Sequence, residues 1–138
     1  MKIVIAPDSF KGSLTSPQVC AAIEKGIRKA DGNADIVSIP MADGGEGTVD
    51  ALMNVLGGSK IHTLVKDPLF REIKAEYGIL EDNTAVIEMA SASGLALLTP
   101  EERNPMNTTT YGTGELILDA LNKGCRNFII GIGGSATN

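Results

Sequence analysis

Short continuous hydrophobic runs and hydrophobic residues at helical spacing alternate in the first part of the chain. Lys2 to Ala6 and Asp35 to Ile39 are apolar runs, and each ends at a proline. Such runs are typical of strands that are buried on both faces of a parallel sheet. A helical stripe follows each run and predicts a helix there. The stripes are Val19, Ile23, Ile27 and Ala30, and then Val49, Leu52, Met53 and Leu56.

The ends of both helices are also marked in the sequence. Thr15 and Gln18 have the spacing of a capping box, so the first helix should begin near Ser16. Gly57 and Gly58 should close the second helix, because glycine readily adopts the left-handed conformation found after helix C-termini. The order strand, helix, strand, helix favours a mostly parallel, Rossmann-like α/β sheet flanked by helices. In such a sheet, ligand-binding loops follow the carboxyl ends of the strands.

The middle of the chain changes to a period of two. Hydrophobic and polar residues alternate from Ile61 to Val65 and from Ile73 to Ile79, and Thr84 to Met89 adds a further strand. This pattern is typical of antiparallel strands. We therefore expect residues 59–111 to begin an inserted, more antiparallel α/β domain, with 1–58 and 112–138 as parts of the Rossmann-like domain.

The first pattern returns near the end of the chain. A helical stripe closed by Gly124 precedes a last apolar run, Asn127 to Ile132. We expect this run to be a third buried strand, in one sheet with the two N-terminal strands. The stripe consists of Leu116, Ile117, Ala120 and Leu121.

Composition excludes several classes of function. The net charge of −5 argues against a nucleic-acid partner, because nucleic-acid binding depends on clustered Lys and Arg. The N-terminal apolar run is too short for a signal peptide or a membrane span, so we expect a cytoplasmic protein without a membrane partner. The two cysteines lack the spacing of a zinc site. The 16 glycines cluster at 44–47, 112–114 and 131–134, which indicates special backbone geometry there.

The first candidate loop, 7–13, follows the first predicted strand and contains Asp8, Ser9 and Lys11. Phosphoryl transfer requires a cation near the transferred group, oxygen ligands for Mg²⁺ and a group that orients the acceptor. Asp8 and Lys11 could supply two of these. The alternative is that Asp8 caps a turn and Lys11 is a solvated charge.

The second candidate loop, 41–48, follows the second predicted strand and contains two acids, Asp43 and Glu46. Its glycines would let backbone N–H groups approach an anion at the positive end of the following helix. Asp43 and Glu46 could hold a metal or orient a hydroxyl. Glu46 could equally be a first-turn carboxylate that the helix dipole stabilises. The glycines are Gly44, Gly45 and Gly47.

The third candidate loop, 131–138, follows the last predicted strand. Gly131, Gly133 and Ala136 fit the dinucleotide fingerprint G-x-G-x-x-A, which is a weak signal when it stands alone. A phosphate-binding loop at a helix N-terminus fits both a kinase and a dehydrogenase. No Walker A signature follows any predicted strand, so the chain is not a P-loop kinase.

Three segments in order resemble the recurring motifs of the bacterial glycerate kinase family. They are Ala6 to Gly12, Pro40 to Thr48 and Gly133 to Asn138, and Tyr111 to Ile117 is a fourth similar segment. The resemblance covers the whole chain. It implies a two-domain α/β enzyme that uses ATP and Mg²⁺ to phosphorylate D-glycerate, with 2-phosphoglycerate as the favoured product.

The resemblance and the loop chemistry together predict the site residues. Asp8, Lys11 and Asp43 are the candidate catalytic residues, and Asp43 and Glu46 the candidate metal ligands. The candidate substrate- or phosphate-binding residues are Ser9, Gly44, Gly45, Glu46, Gly47, Gly133, Gly134, Ser135 and Asn138.

Chains of this family continue well past the position of Asn138. We therefore expect this chain to be the N-terminal part of a longer enzyme, inactive alone, which self-associates through surface that the remainder would cover. One alternative is a truncated, non-catalytic module that binds an anion weakly. Another, which rests on the fingerprint alone, is a nicotinamide-dependent oxidoreductase.

Overall fold

The computed structural model describes residues 1–137, which form six strands and four α-helices. The strands are β1 (Lys2–Ile5), β2 (Asp35–Ser38), β3 (Ser59–Lys66), β4 (Glu72–Ile79), β5 (Thr84–Glu88) and β6 (Asn127–Gly131). The helices are α1 (Ser16–Ala30), α2 (Thr48–Leu56), α3 (Ala90–Ser93) and α4 (Tyr111–Asn122), with 3₁₀ turns at Leu95–Leu97 and Pro100–Glu102. Within residues 1–137, no helix is long and apolar enough to cross a membrane.

The chain divides into two compact units, Met1–Asp43 and the residues from Gly44 onward. In the first unit, β1 and β2 pair in parallel, and α1 contacts both strands. The capping box predicted for α1 is present, since the side-chain oxygen of Gln18 accepts a hydrogen bond from the Thr15 N–H at 2.9 Å.

The prediction that β1 and β2 are buried on both faces is wrong. Val4 lies opposite Val37 in the parallel register, so the two side chains share a face of the sheet. Val4 is 59% exposed and Val37 is 36% exposed, whereas Ile5 is buried. The unit has a single helix, and one helix can cover only one face of a two-stranded sheet.

The second unit is built on a four-stranded sheet with the order β3-β4-β5-β6. As predicted, the middle of the chain forms an antiparallel hairpin, β3-β4, and β4 also pairs antiparallel with β5. Residues of β5 alternate between two hydrophobic clusters, because Val86 packs with Val49 of α2 and Ile87 packs with Leu116 of α4. Helices therefore cover both faces of β5.

The prediction that the last strand joins β1 and β2 in one sheet is wrong. β6 pairs in parallel with β5, and Ile129 lies opposite Val86. β6 is the edge strand of this sheet, and Ile129 and Ile130 are each 41% exposed, so the strand is not fully buried either. A hydrophobic run indicates a strand but does not identify its partner. The connection from β5 through α4 to β6 is the helical crossover that parallel neighbours require.

The predicted fold class is confirmed, since the chain is an α/β protein with a parallel sheet and a mixed sheet flanked by helices. The domain division into 1–58 with 112–138 and 59–111 stays a prediction.

Candidate active site

The first and second loops leave the same edge of the β1-β2 sheet, as their positions after parallel strands predict. The N–H of Met41 in the second loop donates to the carbonyl of Pro7 in the first loop at 3.1 Å. The Nζ of Lys11 lies 3.9 Å from Oδ2 of Asp43. Two of the three predicted catalytic residues are therefore close together.

Ser16, the first residue of α1, connects these two loops, and sequence reasoning missed its role. Its buried hydroxyl donates to the carbonyl of Pro7 at 2.7 Å and accepts the N–H of Met41 at 3.0 Å. No sequence signal marked this role, because Ser16 follows the N-cap residue Thr15 and already lies within the helix. The contact across 25 residues needed the tertiary structure.

Asp8 and Lys11 have different surroundings within the first loop. Oδ1 of Asp8 accepts the N–H of the adjacent Ser9 at 2.6 Å, and neither residue lies in a turn. Lys11 lies in a turn next to Gly12, whose φ is +74°, and its side chain is 87% exposed. The Lys11 ammonium is therefore open to a ligand, and its ion pair with Asp43 adds little stability at this exposure.

The second and third loops pack backbone against backbone. The N–H of Gly133 donates to the carbonyl of Gly44 at 2.9 Å. A Cβ atom on Gly131 would collide with that same carbonyl, and one on Gly133 would lie 2.8 Å from Cα of Gly45. Close packing of the two loops thus explains Gly131 and Gly133, while a phosphate-binding role for Gly133 stays a prediction.

The third loop is anchored to the segment that follows β5. The carbonyl of Gly134 accepts the N–H of Leu95 at 2.8 Å, and the N–H of Ala136 donates to the carbonyl of Ser93 at 2.9 Å. The hydroxyl of Thr108 donates to the carbonyl of Ala136 at 2.8 Å. These contacts fix the loop over its described length.

The remaining predicted binding residues have local roles in the structure. Ser135 accepts the N–H of Thr137 at 3.0 Å through its hydroxyl. Glu46 is exposed and precedes Gly47, which is the N-cap of α2 with a φ of +92°. Asn138 lies outside the described residues.

The carboxylate of Glu88 lies at the N-terminus of α2. The sequence predicted that an external anion would bind at this helix end. Glu88 is the last residue of β5, and its Oε1 accepts the N–H of Val49 in the first turn of α2 at 2.7 Å. Burial raises the pKa of the Glu88 carboxyl, and hydrogen bonds from the backbone of Val49 and Gly47 offset only part of this rise. Sequence reasoning missed Glu88. Its position at the carboxyl end of a strand was the one available signal.

The fourth segment of the family resemblance, Tyr111 to Ile117, secures α4 against β3. A Cβ atom on Gly112 would collide with the carbonyl of Lys66, so the glycine permits a close approach of the two backbones. Oε2 of Glu115 accepts the N–H of the same Lys66 at 2.6 Å. This segment therefore has a visible structural function.

Within residues 1–137, no group of three or more His, Cys, Asp or Glu side chains could hold a metal ion. The exposed carboxylates of Asp43 and Glu46 are nevertheless oxygen donors of the kind that Mg²⁺ takes. Mg²⁺ commonly binds through one or two carboxylates together with water and substrate phosphates. The donor chemistry of each carboxylate, taken by itself, fits such an ion.

Comparison with known proteins gives one consistent result. Residues 3–138 match the model of the glycerate kinase family. A glycerate kinase from Haemophilus influenzae is 56% identical, with 100% of this chain and 37% of that protein covered. A glycerate 2-kinase from Escherichia coli is also 56% identical, with coverage of 100% and 36%.

Structural comparison agrees with the sequence matches. The crystal structure of a candidate glycerate kinase 2 from Salmonella typhimurium LT2 superposes with a TM-score of 0.78 at 52% identity, covering 100% of this chain and 37% of that one. This chain thus spans about 37% of the length of such relatives. On the match over residues 3–138, the chain belongs to the glycerate kinase family.

Proposed function

We propose that this chain supplies part of the catalytic apparatus for ATP-dependent phosphorylation of D-glycerate, with the 2-hydroxyl as the favoured acceptor. The proposal rests on one observation, that Lys11 and Asp43 meet 3.9 Å apart at the carboxyl edge of the β1-β2 sheet. Parallel α/β sheets bind ligands at this edge. The names of the relatives, glycerate kinase and glycerate 2-kinase, support the choice of substrate.

Lys11 and Asp43 have complementary roles in the proposed reaction. Negative charge spreads over the transferred phosphoryl group in the transition state, and the exposed ammonium of Lys11 would stabilise it. Asp43 would orient the acceptor hydroxyl or be a ligand of Mg²⁺, and Glu46 is the other candidate ligand. Bound Mg²⁺ would neutralise charge on the phosphate oxygens. Asp8 is the alternative orienting group, although its Oδ1 already accepts the N–H of Ser9.

The second and third loops, which pack against each other, are assigned the role of binding the phosphate chain of the nucleotide. Gly44, Gly47 and Gly134 have positive φ angles, so these loops hold a backbone geometry that other residues rarely adopt. Turns of this kind can present backbone N–H groups to an anion. Ser9 and Ser135 add hydroxyls to the proposed set. The partners of the chain are thus small molecules, a nucleotide and a hydroxy acid, and the expected compartment is the cytoplasm.

A turnover assay tests the proposed function. The experiment measures ADP formation from ATP and D-glycerate by the chain alone and by a complete family enzyme carrying this segment, with the product identified by ³¹P NMR. We expect no turnover by the chain alone and 2-phosphoglycerate from the complete enzyme.

Lys11→Met should lower kcat, whereas Lys29→Met, at an exposed lysine in the last turn of α1, should not.

Two outcomes would contradict the proposal. A complete enzyme that forms no ADP with glycerate would exclude the reaction. Calorimetry that shows binding of NAD but not of ATP would favour the oxidoreductase alternative. Since Gly131 and Gly133 are explained by packing against Gly44 and Gly45, the fingerprint alone gives no reason to expect that result.

A further inference from the structure

Glu88 contacts elements that adjoin the second and third loops, through its side chain in one case and through backbone pairing in the other. Glu88 lies opposite Gly131 in the parallel register of β5 and β6, where the third loop begins. Its Oε1 accepts the N–H of Val49 at 2.7 Å, directly after the second loop. The N–H of the next residue, Met89, donates to the carbonyl of Gly131 at 2.9 Å. Residues 88 and 89 therefore hold one loop by a side chain and the other by backbone.

Burial, and to a smaller extent neighbouring acids, make a carboxylate costly at this position. Asp50 on α2 and Glu76 on β4 are close enough to raise the pKa of Glu88 further, after the larger effect of burial. Lys60 on β3 pairs with both of these acids, at 2.6 Å to Asp50 and 3.1 Å to Glu76. A side chain buried between a strand and a helix is ordinarily apolar. Packing alone therefore does not explain why residue 88 is a glutamate.

We propose that Glu88 is a positioning residue that holds the second glycine loop against the third. Its bond to Val49 fixes the start of α2, and with it the end of the second loop. The carbonyl of Gly44, in the middle of that loop, accepts the N–H of Gly133. The functional part of this inference rests on the proposed function, in which the two loops bind the phosphate chain.

Amide hydrogen exchange of this chain, followed by NMR, tests the positioning itself. Glu88→Ala should speed exchange of the Val49 and Gly133 N–H groups by about tenfold or more, the effect of losing one charge-assisted hydrogen bond. Glu88→Gln keeps a side-chain oxygen acceptor and should restore much of the protection. The N–H of Val86 in the buried centre of β5 serves as the reference for global opening.

Glu115→Ala is the matched control, because it removes another carboxylate-to-backbone bond in the same unit. It should leave the exchange of Gly133, relative to Val86, unchanged. Faster exchange at Val49 without any change at Gly133 would show that Glu88 only caps α2, and this result would overturn the inference. An equal acceleration at Val86 would show general destabilisation and overturn it as well.

Kinetics of a complete enzyme carrying this segment separate this inference from the proposed function. Glu88→Ala should raise the KM for ATP several-fold more than it lowers kcat, whereas Glu115→Ala should not change the KM. An active wild-type enzyme whose KM for ATP is unaffected by Glu88→Ala would refute the positioning role and leave the proposed function intact. A wild-type enzyme that is inactive with ATP would refute the proposed function, and the exchange experiment would still decide the positioning of the loops.

Discussion

At the scale of single residues, the degree of burial distinguishes the roles of acidic residues that the sequence alone does not tell apart. The side chain of Asp43 is 57% exposed and lies beside Lys11. Asp67, in the turn between β3 and β4, is 2% exposed and accepts the N–H of Leu69 at 2.8 Å in addition to bonds from Arg71. An exposed acid at a strand edge can serve a ligand, whereas a buried acid surrounded by donors organises the local fold.

Asp43→Asn, in a complete enzyme carrying this segment, should reduce turnover far more than stability. Asparagine keeps the size of the side chain but removes the charge needed to bind Mg²⁺ or orient a hydroxyl. A base or metal role predicts a loss of about 100-fold or more in kcat with a nearly unchanged Tm. Asp35→Asn, an exposed acid at the other end of β2, is the control and should leave both unchanged. Near-normal kcat in Asp43→Asn would exclude the role and make Lys11 with Asp8 the better candidates.

Asp67→Asn should lower the free energy of unfolding at neutral pH by roughly 1.5–3 kcal/mol, the value of hydrogen bonds to a charged group. Burial alone would raise the pKa of Asp67, but the hydrogen bonds from Arg71 and Leu69 outweigh it and hold the pKa below its usual value. The folded state therefore favours the charged form. This stabilisation is present above the unfolded pKa of about 4 and is lost as the pH falls through the lower folded pKa.

Urea unfolding between neutral and strongly acidic pH measures this effect. The difference between wild type and Asp67→Asn should be largest at neutral pH and shrink in acid. Glu72→Gln, an exposed acid at the start of β4, should show little difference at any pH. A difference for Asp67→Asn that does not depend on pH would show that the charge of Asp67 is not what stabilises the turn.

At the scale of elements, α4 shows how two glycines in one helix can serve different purposes. The backbone of α4 approaches β3 so closely at Gly112 that no side chain fits there. Around Gly114, two residues later, a Cβ atom would meet nothing within 4 Å. The hydroxyls of Thr113 and Ser93, 2.7 Å apart and buried, add a contact between α4 and α3. Only Gly112 is therefore required by packing.

Alanine substitutions at these two glycines should shift stability in opposite directions. Gly112→Ala should destabilise the chain by about 1–3 kcal/mol, because α4 must move away from Lys66. Gly114→Ala should stabilise it by about 0.5–1 kcal/mol, because alanine is the better helix former. Urea unfolding followed by circular dichroism measures both. Equal effects of the two substitutions would contradict the close approach of α4 to β3.

At the scale of the whole molecule, large hydrophobic side chains remain exposed on the β1-β2 sheet. Val4 and Val37 are paired on the face away from Ile5, and Ile39, 42% exposed, continues the row beyond β2. Contiguous apolar surface of this kind usually marks a contact with another protein surface. The isolated chain should therefore bury it by self-association.

Sedimentation at several concentrations should show the chain associating, and a hydrophobic dye should bind to it. Val4→Thr combined with Val37→Thr keeps β-branched residues in both strands but adds hydroxyls, so it should weaken association and dye binding. Val55→Thr, at a position of α2 that is 76% exposed, is the control. A wild-type chain that is monomeric at all concentrations and binds no dye would contradict this expectation.

Much of the local structure could be predicted because it depends on contacts between near neighbours. The capping box at Thr15 and Gln18 and the closing glycines Gly57 and Gly124 act within a few residues, and each marks a helix end in the structure. The short helix α3 and the two 3₁₀ turns were missed. They contain too few residues to show a hydrophobic period.

The sequence by itself determined the α/β class, the three loops and the family, since these depend on hydrophobic period, glycine position and recognisable motifs. The tertiary structure alone decided that β6 pairs with β5, that Ser16 joins the first two loops and that Glu88 caps α2. It also gave the reason for Gly131 and Gly133, which is the carbonyl of Gly44 and the backbone of Gly45. Each of these contacts joins residues far apart in the chain, and a local pattern cannot specify a partner that only folding brings near.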